Sequence, residues 1–99
     1  MEKLGGGNKR KLKSLAHHLK PVVLIGQKGI TENLIKAADR ALSDHELIKV
    51  KFIDLKDQKR ELTEQIVKGT GACHVNTIGN VVILYKENPD RPDGEKIRL

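Results

Sequence analysis

The residues best placed to do chemistry are Gly26-Gln27-Lys28-Gly29. This GxxG loop follows the apolar run Val22-Val23-Leu24-Ile25 and leads through Ile30 into a helical pattern opening at Thr31. Two glycines let a backbone turn sharply and let a ligand come close to it. The helix that follows offers amides without partners and the positive end of a dipole. A strand, a glycine-bracketed turn and a helix start, in that order, make a seat for a phosphate. The plainer reading is a connector that needs glycine to turn. What favours an anion is the charge around the loop.

The 99-residue chain carries a net charge of +6, and the excess is not spread evenly. Lys3, Lys9, Arg10, Lys11, Lys13, Lys20 and Lys28 stand against Glu2 alone, while the chain after Lys28 balances. A basic helix leading to a phosphate-type loop points to a polyanion more strongly than a basic tail would. The cluster from Lys9 to Lys13 falls in the first turns of its expected helix, where cations oppose the dipole. That arrangement hints at an external anion. Lys36 and Arg40 follow Glu32 at helical spacing, so they read equally as an i,i+4 network or as further contacts. Lys49 and Lys51 alternate with apolar residues and either line an open sheet face or solubilise it.

Other reactive side chains form no convincing centre. His17 and His18 are adjacent on a helix, about 100° apart, and cannot easily chelate one ion together. Cys73 and His74 are adjacent in a strand and point to opposite faces, which argues against a nucleophilic pair. Cys73 reads as a small core residue. His45 sits beside a turn, and Asp57 reads as a helix cap. No serine occupies a nucleophile elbow. The expectation is therefore no metal, no cofactor, no small-molecule substrate and no catalysis. A single cysteine excludes an intrachain disulfide and fits a reducing compartment. No apolar run approaches membrane-spanning length, and the start of the chain lacks an apolar signal region. A cytoplasmic monomer is expected. Phe52 and Tyr85 are the only aromatic residues, which disfavours recognition by aromatic stacking.

The elements that must position these residues follow from hydrophobic period. Residues 1–8 read as a flexible N-terminus, 9–86 as one domain and 87–99 as a loose tail. Asn8 caps a first helix from Lys9 to Leu19, with Leu12, Leu15, Ala16 and Leu19 inward, and Pro21 stops it. Val22 to Ile25 is a strand buried on both faces. A second helix runs from the Thr31 cap to Leu42, with Leu34, Ala37, Ala38 and Ala41 inward, and Ser43-Asp44-His45 forms a turn. Glu46 to Ile53 is a half-buried strand with Ile48, Val50 and Phe52 inward. A third helix spans Asp57 to Lys68, with Gly69 at its C′ position. Ala72–Ile78 and Asn80–Lys86 are strands joined by a Gly79-Asn80 turn of type II′. The order α-β-α-β-α-β-β predicts an α/β fold of the α+β two-layer type, with a small four-stranded mixed sheet.

Four segments carry a family resemblance. They are Leu15-Ala16-His17-His18-Leu19-Lys20-Pro21-Val22-Val23, Ile25-Gly26-Gln27-Lys28-Gly29-Ile30-Thr31-Glu32, His45-Glu46-Leu47-Ile48-Lys49-Val50-Lys51 and Thr77-Ile78-Gly79-Asn80-Val81-Val82-Ile83-Leu84-Tyr85. In order and at this spacing, the chain resembles the CRM domain family, with its bacterial single-domain YhbY-type members, from Lys9 to Lys86. The resemblance implies a fold like the C-terminal domain of a bacterial translation initiation factor. It also implies RNA binding and association with precursors of the large ribosomal subunit. The family's loop maps onto Gly26, Gln27, Lys28 and Gly29; bacterial members often carry the basic residue directly after the first glycine, where this chain has Gln27. The reading is a non-catalytic protein that binds rRNA during ribosome assembly. Its contacts are Lys9, Arg10, Lys11, Lys13, Lys20, Gly26, Gln27, Lys28, Gly29, Ile30, Lys36 and Arg40, with amides near Gly29 and Ile30 holding one phosphate. The rivals are a small DNA-binding module, which lacks a helix-turn-helix pair, and an RNA-processing enzyme using a histidine.

Overall fold

Alternation decides the centre of the sheet. In the strand Leu47–Phe52, the side chains of Ile48, Val50 and Phe52 share one face and are fully buried. The computed structural model describes residues 6–92, 94 and 97. The elements among them are α1 (Gly6–Ala16), β1 (Val23–Ile25), α2 (Glu32–His45), β2 (Leu47–Phe52), α3 (Lys59–Thr70), β3 (Cys73–Ile78) and β4 (Val81–Tyr85). The four strands form one mixed sheet in the order β1-β2-β4-β3. β1 and β2 are parallel, while β4 runs antiparallel to both β2 and β3. The expected α/β class and four-stranded sheet are thus present.

The helices divide between the two faces. Ala38 and Leu42 of α2 and Leu62 and Ile66 of α3 pack on Val23, Ile25, Ile48, Val50, Phe52, Val82 and Leu84. Leu12 and Ala16 of α1 pack on Leu47, Val75, Ile83 and Tyr85 from the other side, with Ile97 against them. The two-layer expectation describes α2 and α3; α1 adds a partial layer on the opposite face. Because α1 covers only one end of that face, β1 is not buried on both sides as its apolar run suggests. Val22 and Leu24 are 52% and 54% exposed.

Several boundaries differ from the sequence reading for local reasons. Gly6, Gly7 and Asn8 are the first residues of α1, so Asn8 is not its cap, and only Met1 to Gly5 of the expected flexible segment lie outside the described residues. α1 ends at Ala16 through turn bonds from the His17 amide to Ser14 O and from Leu19 to Ala16 O, well before Pro21. Leu15 and Leu19 are consequently surface residues. Thr31 caps α2 as expected, its hydroxyl accepting from the Leu34 amide at 3.0 Å. α2 then absorbs the expected Ser43-Asp44-His45 turn, and Ala37 faces solvent while Leu42 is buried. Asp57 caps no helix: it lies in a 3-10 turn, Lys56–Gln58, and α3 starts at Lys59. Gly71, at φ 77°, is the left-handed residue that ends α3. Gly69 lies inside the helix, where an added Cβ would stand 2.9 Å from Ile35 Cδ1. It lets α2 and α3 approach. Gly79 has φ 58° and Asn80 does not share a positive φ, which fits the II′ hairpin.

Among the described residues after β4, Lys86, Asn88, Arg91 and Ile97 are held rather than loose, while 93, 95, 96, 98 and 99 of the expected tail lie outside the described residues. Glu46, fully buried, accepts from the amides of Asn88 (2.9 Å) and Ile97 (3.0 Å) and from Arg91 Nη1 (3.2 Å). Its own carbonyl takes the Lys86 amide at 2.8 Å.

Candidate nucleic-acid interface

The GxxG loop lies where β1 and β2 run out. Ile25 O accepts from the amides of Ile53 and Asp54 at 3.0 and 3.2 Å, and Phe52 N donates to Asn80 O at 2.8 Å. The loop, Ile53 and the β3–β4 hairpin therefore crowd one end of the sheet, the carboxyl end of its parallel strands. Open α/β sheets bind ligands at that end. Lys59 Nζ pins the hairpin by donating to Gly79 O at 2.7 Å.

The loop presents side chains more than amides. Gly29 N donates to Gly26 O at 3.0 Å and closes a tight turn, so one of the amides expected to hold a phosphate is already used. At the start of α2, Thr31 takes the amides of Leu34 and Ile35, and Glu32 in the first turn supplies a resident negative charge. Gln27 and Lys28 stand exposed at the tip, while Gly29 is buried and Gly26 and Ile30 are half-buried. Only Gly29 requires glycine for its backbone, at φ 65°. A Cβ on Gly26 would meet Ile53 Cδ1 at an ordinary 3.9 Å.

The cations of α1 divide between one flank of the helix and its outer side. Leu12 and Ala16 point into the sheet. Leu15, on one flank, lines a cavity of about 380 Å³ with Leu19, Val22, Leu47, Ile48 and Ile97, at the end of the sheet where β2 begins. Successive helical residues turn by 100°, so Lys9 and Lys13 occupy the other flank. Lys9 is half-buried along its stem, and Lys13 is exposed. Arg10 and Lys11 lie on the outer side of α1. Because α1 starts at Gly6, Lys13 falls in its last turn, where the dipole favours it. The dipole thus does not oppose Lys13 as the sequence suggests, while the charge of the cluster stays uncompensated. Lys9, Arg10, Lys11, Lys13, Lys20 and Lys28 form no ion pair with an acid among the described residues; the pairs present are Lys36–Glu32, Lys86–Asp39 and Arg91–Glu46.

Not every expected contact joins this face. Lys20 precedes β1 and lines the cavity at the opposite end from Lys28. Lys36 and Arg40 are exposed on α2, in the other layer, with Lys36 Nζ 3.6 Å from Glu32.

The structure adds residues that the sequence reading gave little weight. Register sets Leu24 opposite Lys51, Lys51 opposite Val81 and Val81 opposite Ile78, one side chain from each strand in sheet order. All four lie on the side of α1 and beyond its cover. A bulge between His74 and Asn76 makes this possible. Val75 packs under α1, and the extra residue then returns Asn76 and Ile78 to the same face. Strand alternation without the bulge would have turned Ile78 away. Lys49 Nζ donates to Leu19 O at 3.0 Å and ties the link before β1 to the sheet.

The histidines do not converge into an acid–base centre. His17 and His18 are exposed beyond the end of α1, their rings edge-to-face at 5.2 Å. His45 ends α2, and His74 bonds Thr77 Oγ1 at 2.7 Å across the sheet from the α1 side. Cys73 is half-buried rather than a core residue. Among the described residues, no group of three or more His, Cys, Asp or Glu side chains is placed to hold a metal, and no helix is long and apolar enough to cross a membrane.

An α/β domain with a partly covered, lysine-bearing sheet face is the class that fold and site define. Sequence comparison makes this specific: the CRS1 / YhbY (CRM) domain matches residues 4–86, and the chain belongs to that family. It is 42% identical over 88 residues to a protein of Bacillus subtilis (strain 168) named Probable RNA-binding protein YqeI, covering 88% of this chain and 92% of the relative. It is 41% identical over 91 residues to a Haemophilus influenzae protein named RNA-binding protein, covering 91% and 92%. The solution structure of the hypothetical protein SAV1595 from Staphylococcus aureus superposes with a TM-score of 0.77 at 39% identity, over 92% of this chain and 96% of that one.

Proposed function

We propose that this protein is a non-catalytic RNA-binding protein of the cytoplasm. It acts as a monomer on rRNA in precursors of the large ribosomal subunit. The observation that carries the RNA reading is a sheet face, covered only in part by α1, that bears Lys49 and Lys51 and no acidic residue, in a domain whose other uncompensated cations lie on α1 and the GxxG loop. The names of the relatives in Bacillus and Haemophilus support it. Assembly of the large subunit rests on the family resemblance. Phosphates would meet the lysines of α1 and the tip of the loop, and Arg10 and Lys11 would widen the basic surface. Such contacts position RNA without reading its sequence.

Gly26→Asp is the discriminating variant. It places a carboxylate in the loop at a residue without a positive φ and with room for a Cβ. The variant should unfold at the parent's temperature yet lose most of its affinity for structured RNA. Gly29→Asp is unsuitable, because its φ of 65° confounds binding with folding. If Gly26→Asp folds and binds as tightly as the parent, the loop is only a connector. Competition between structured RNA and duplex DNA separates the DNA-binding rival. Crosslinking in cells followed by RNA sequencing should enrich large-subunit rRNA precursors; enrichment of other RNAs would reassign the target.

A further inference from the structure

We propose that the stripe Leu24–Lys51–Val81–Ile78 is a platform for unpaired nucleotides, so that the preferred ligand is an RNA with a single-stranded loop or bulge rather than a continuous duplex. This rests on the RNA-binding reading above and deepens it by naming the substrate class.

The stripe is an unusual thing to leave in water. Leu24 is 54% exposed and Ile78 60%, on two edge strands, with half-buried Val81 and exposed Lys51 between them. Neighbouring strands are about 4.8 Å apart, so the stripe spans about 14 Å from edge to edge. That length accommodates roughly two or three bases lifted out of a stack. A helical RNA presents phosphates and 2′-hydroxyls to a protein and keeps its base faces stacked, so it has nothing to lay on Leu24 and Ile78. Unpaired nucleotides have exposed apolar base faces and phosphates at the margins.

The surroundings match that second pattern. Lys51 stands within the stripe and Lys49 beside it on the same strand face, with its Nζ on Leu19 O; α1, on this side of the sheet, carries Lys9 and Lys13, and the loop that follows Leu24 and Ile25 carries Lys28. The residues on this face of β1, β2, β3 and β4 include no Asp or Glu. An aliphatic strip rimmed by cations alone fits a polyanion with apolar faces better than it fits an apolar protein surface. Asn76, returned to this face by the bulge, adds a donor and an acceptor next to the stripe. The scarcity of aromatic residues therefore does not confine the protein to backbone contacts, since aliphatic side chains can carry the bases.

The test uses two RNA probes of equal length, a hairpin with a ten-nucleotide unpaired loop and a fully paired duplex, and the double variant Leu24→Ser, Ile78→Ser. Affinities are measured by fluorescence anisotropy over a salt series, with thermal unfolding on the same samples. The expected result is about tenfold weaker binding of the looped probe, within the lower part of the range for one base stacked on an aromatic ring although two aliphatic contacts are removed. Its salt slope should be unchanged, and so should the affinity for the duplex. Equal affinity of parent and variant for the looped probe overturns the platform while leaving the lysine contacts standing. An equal loss on both probes overturns it too, since the stripe would then be serving shape alone. Loss of RNA binding by Gly26→Asp and by the lysine variants reports on the parent reading separately. Should the double variant not fold, the unmodified protein decides. Methyl signals of Leu24 and Ile78 should move under base ring currents with the looped probe, and methyls that stay still overturn the proposal.

Discussion

Glu46 shows how one residue can gather distant parts of a chain. Its backbone sits at φ 61°, ψ −39°, a conformation disfavoured for any side chain, and its carboxylate is fully buried. Three donors, from Asn88, Arg91 and Ile97, compensate it. Removing one partner of a buried pair strands the other, so Glu46→Ala should cost about 3 kcal/mol. Denaturant titration checks this, and amide exchange should show Asn88 and Ile97 losing protection together. No sequence period marks Glu46, because it lies between a helix and a strand and its partners are 42 to 51 residues away. The Pro- and Asp-rich composition after Lys86 thus suggested a loose tail, whereas Asn88, Arg91 and Ile97 are held. Tyr85, beside Glu46, makes a second test. Burial first, then the charges of Glu46, Glu87 and Cys73, push its phenol above the ordinary value of 10.0. A raised folded pKa means that this contribution to stability is complete below about pH 10 and is lost as pH rises through the folded value. Unfolding temperatures should therefore fall more steeply above pH 10 in the parent than in Tyr85→Phe.

At the scale of elements, the apolar pattern located the three α-helices and four strands of the described residues, while the 3-10 turn, the ends and the surroundings escaped it. The alternation of Ile48, Val50 and Phe52 and the Thr31 cap were legible because each is a local pattern with a local cause. The exposure of Leu24 was not, since it depends on how far α1 reaches across a sheet whose strand order the sequence does not state. The bulge in β3 was equally hidden, yet it decides which face Ile78 takes. Gly69 is a clear case of local and tertiary readings in conflict. Its position near a helix end suggests a terminator, whereas it sits within α3 because Ile35 of α2 leaves no space for a Cβ. Gly69→Ala should destabilise by about 1 kcal/mol, the steric cost of crowding exceeding the gain in helix propensity. Gly7→Ala in α1 meets nothing within 4 Å and should stabilise, by roughly 0.5 kcal/mol. Chemical denaturation of the two variants should give shifts of opposite sign; two stabilising shifts would show that α2 and α3 separate at little cost.

Across the whole molecule, charge and cover are arranged together. The excess of positive charge lies in the first 28 residues, and the fold divides it: Lys9 and Lys13 take one flank of α1, Arg10 and Lys11 its outer side, Lys28 the loop and Lys20 the opposite end of the sheet. The sequence located the loop and the basic helix but could not place them relative to each other. It therefore grouped Lys20, Lys36 and Arg40 with residues that the structure sets elsewhere. That separation gives a quantitative expectation. Each phosphate contact contributes about 0.7 to the log–log salt slope for single-stranded RNA. Neutralising Lys9, Arg10, Lys11 and Lys13 to Gln should lower the slope by roughly 3 if all four reach phosphates, and by about half that if only the Lys9 and Lys13 flank does. The helical geometry favours the smaller value, because Arg10 and Lys11 point away from the sheet. Neutralising Lys36 and Arg40, in the opposite layer, should leave the slope unchanged. Binding measured between 50 and 300 mM salt for the three proteins distinguishes these cases. Equal slopes for all three would move the interface off the α1 face altogether, and a larger effect from Lys36 and Arg40 would place it on α2.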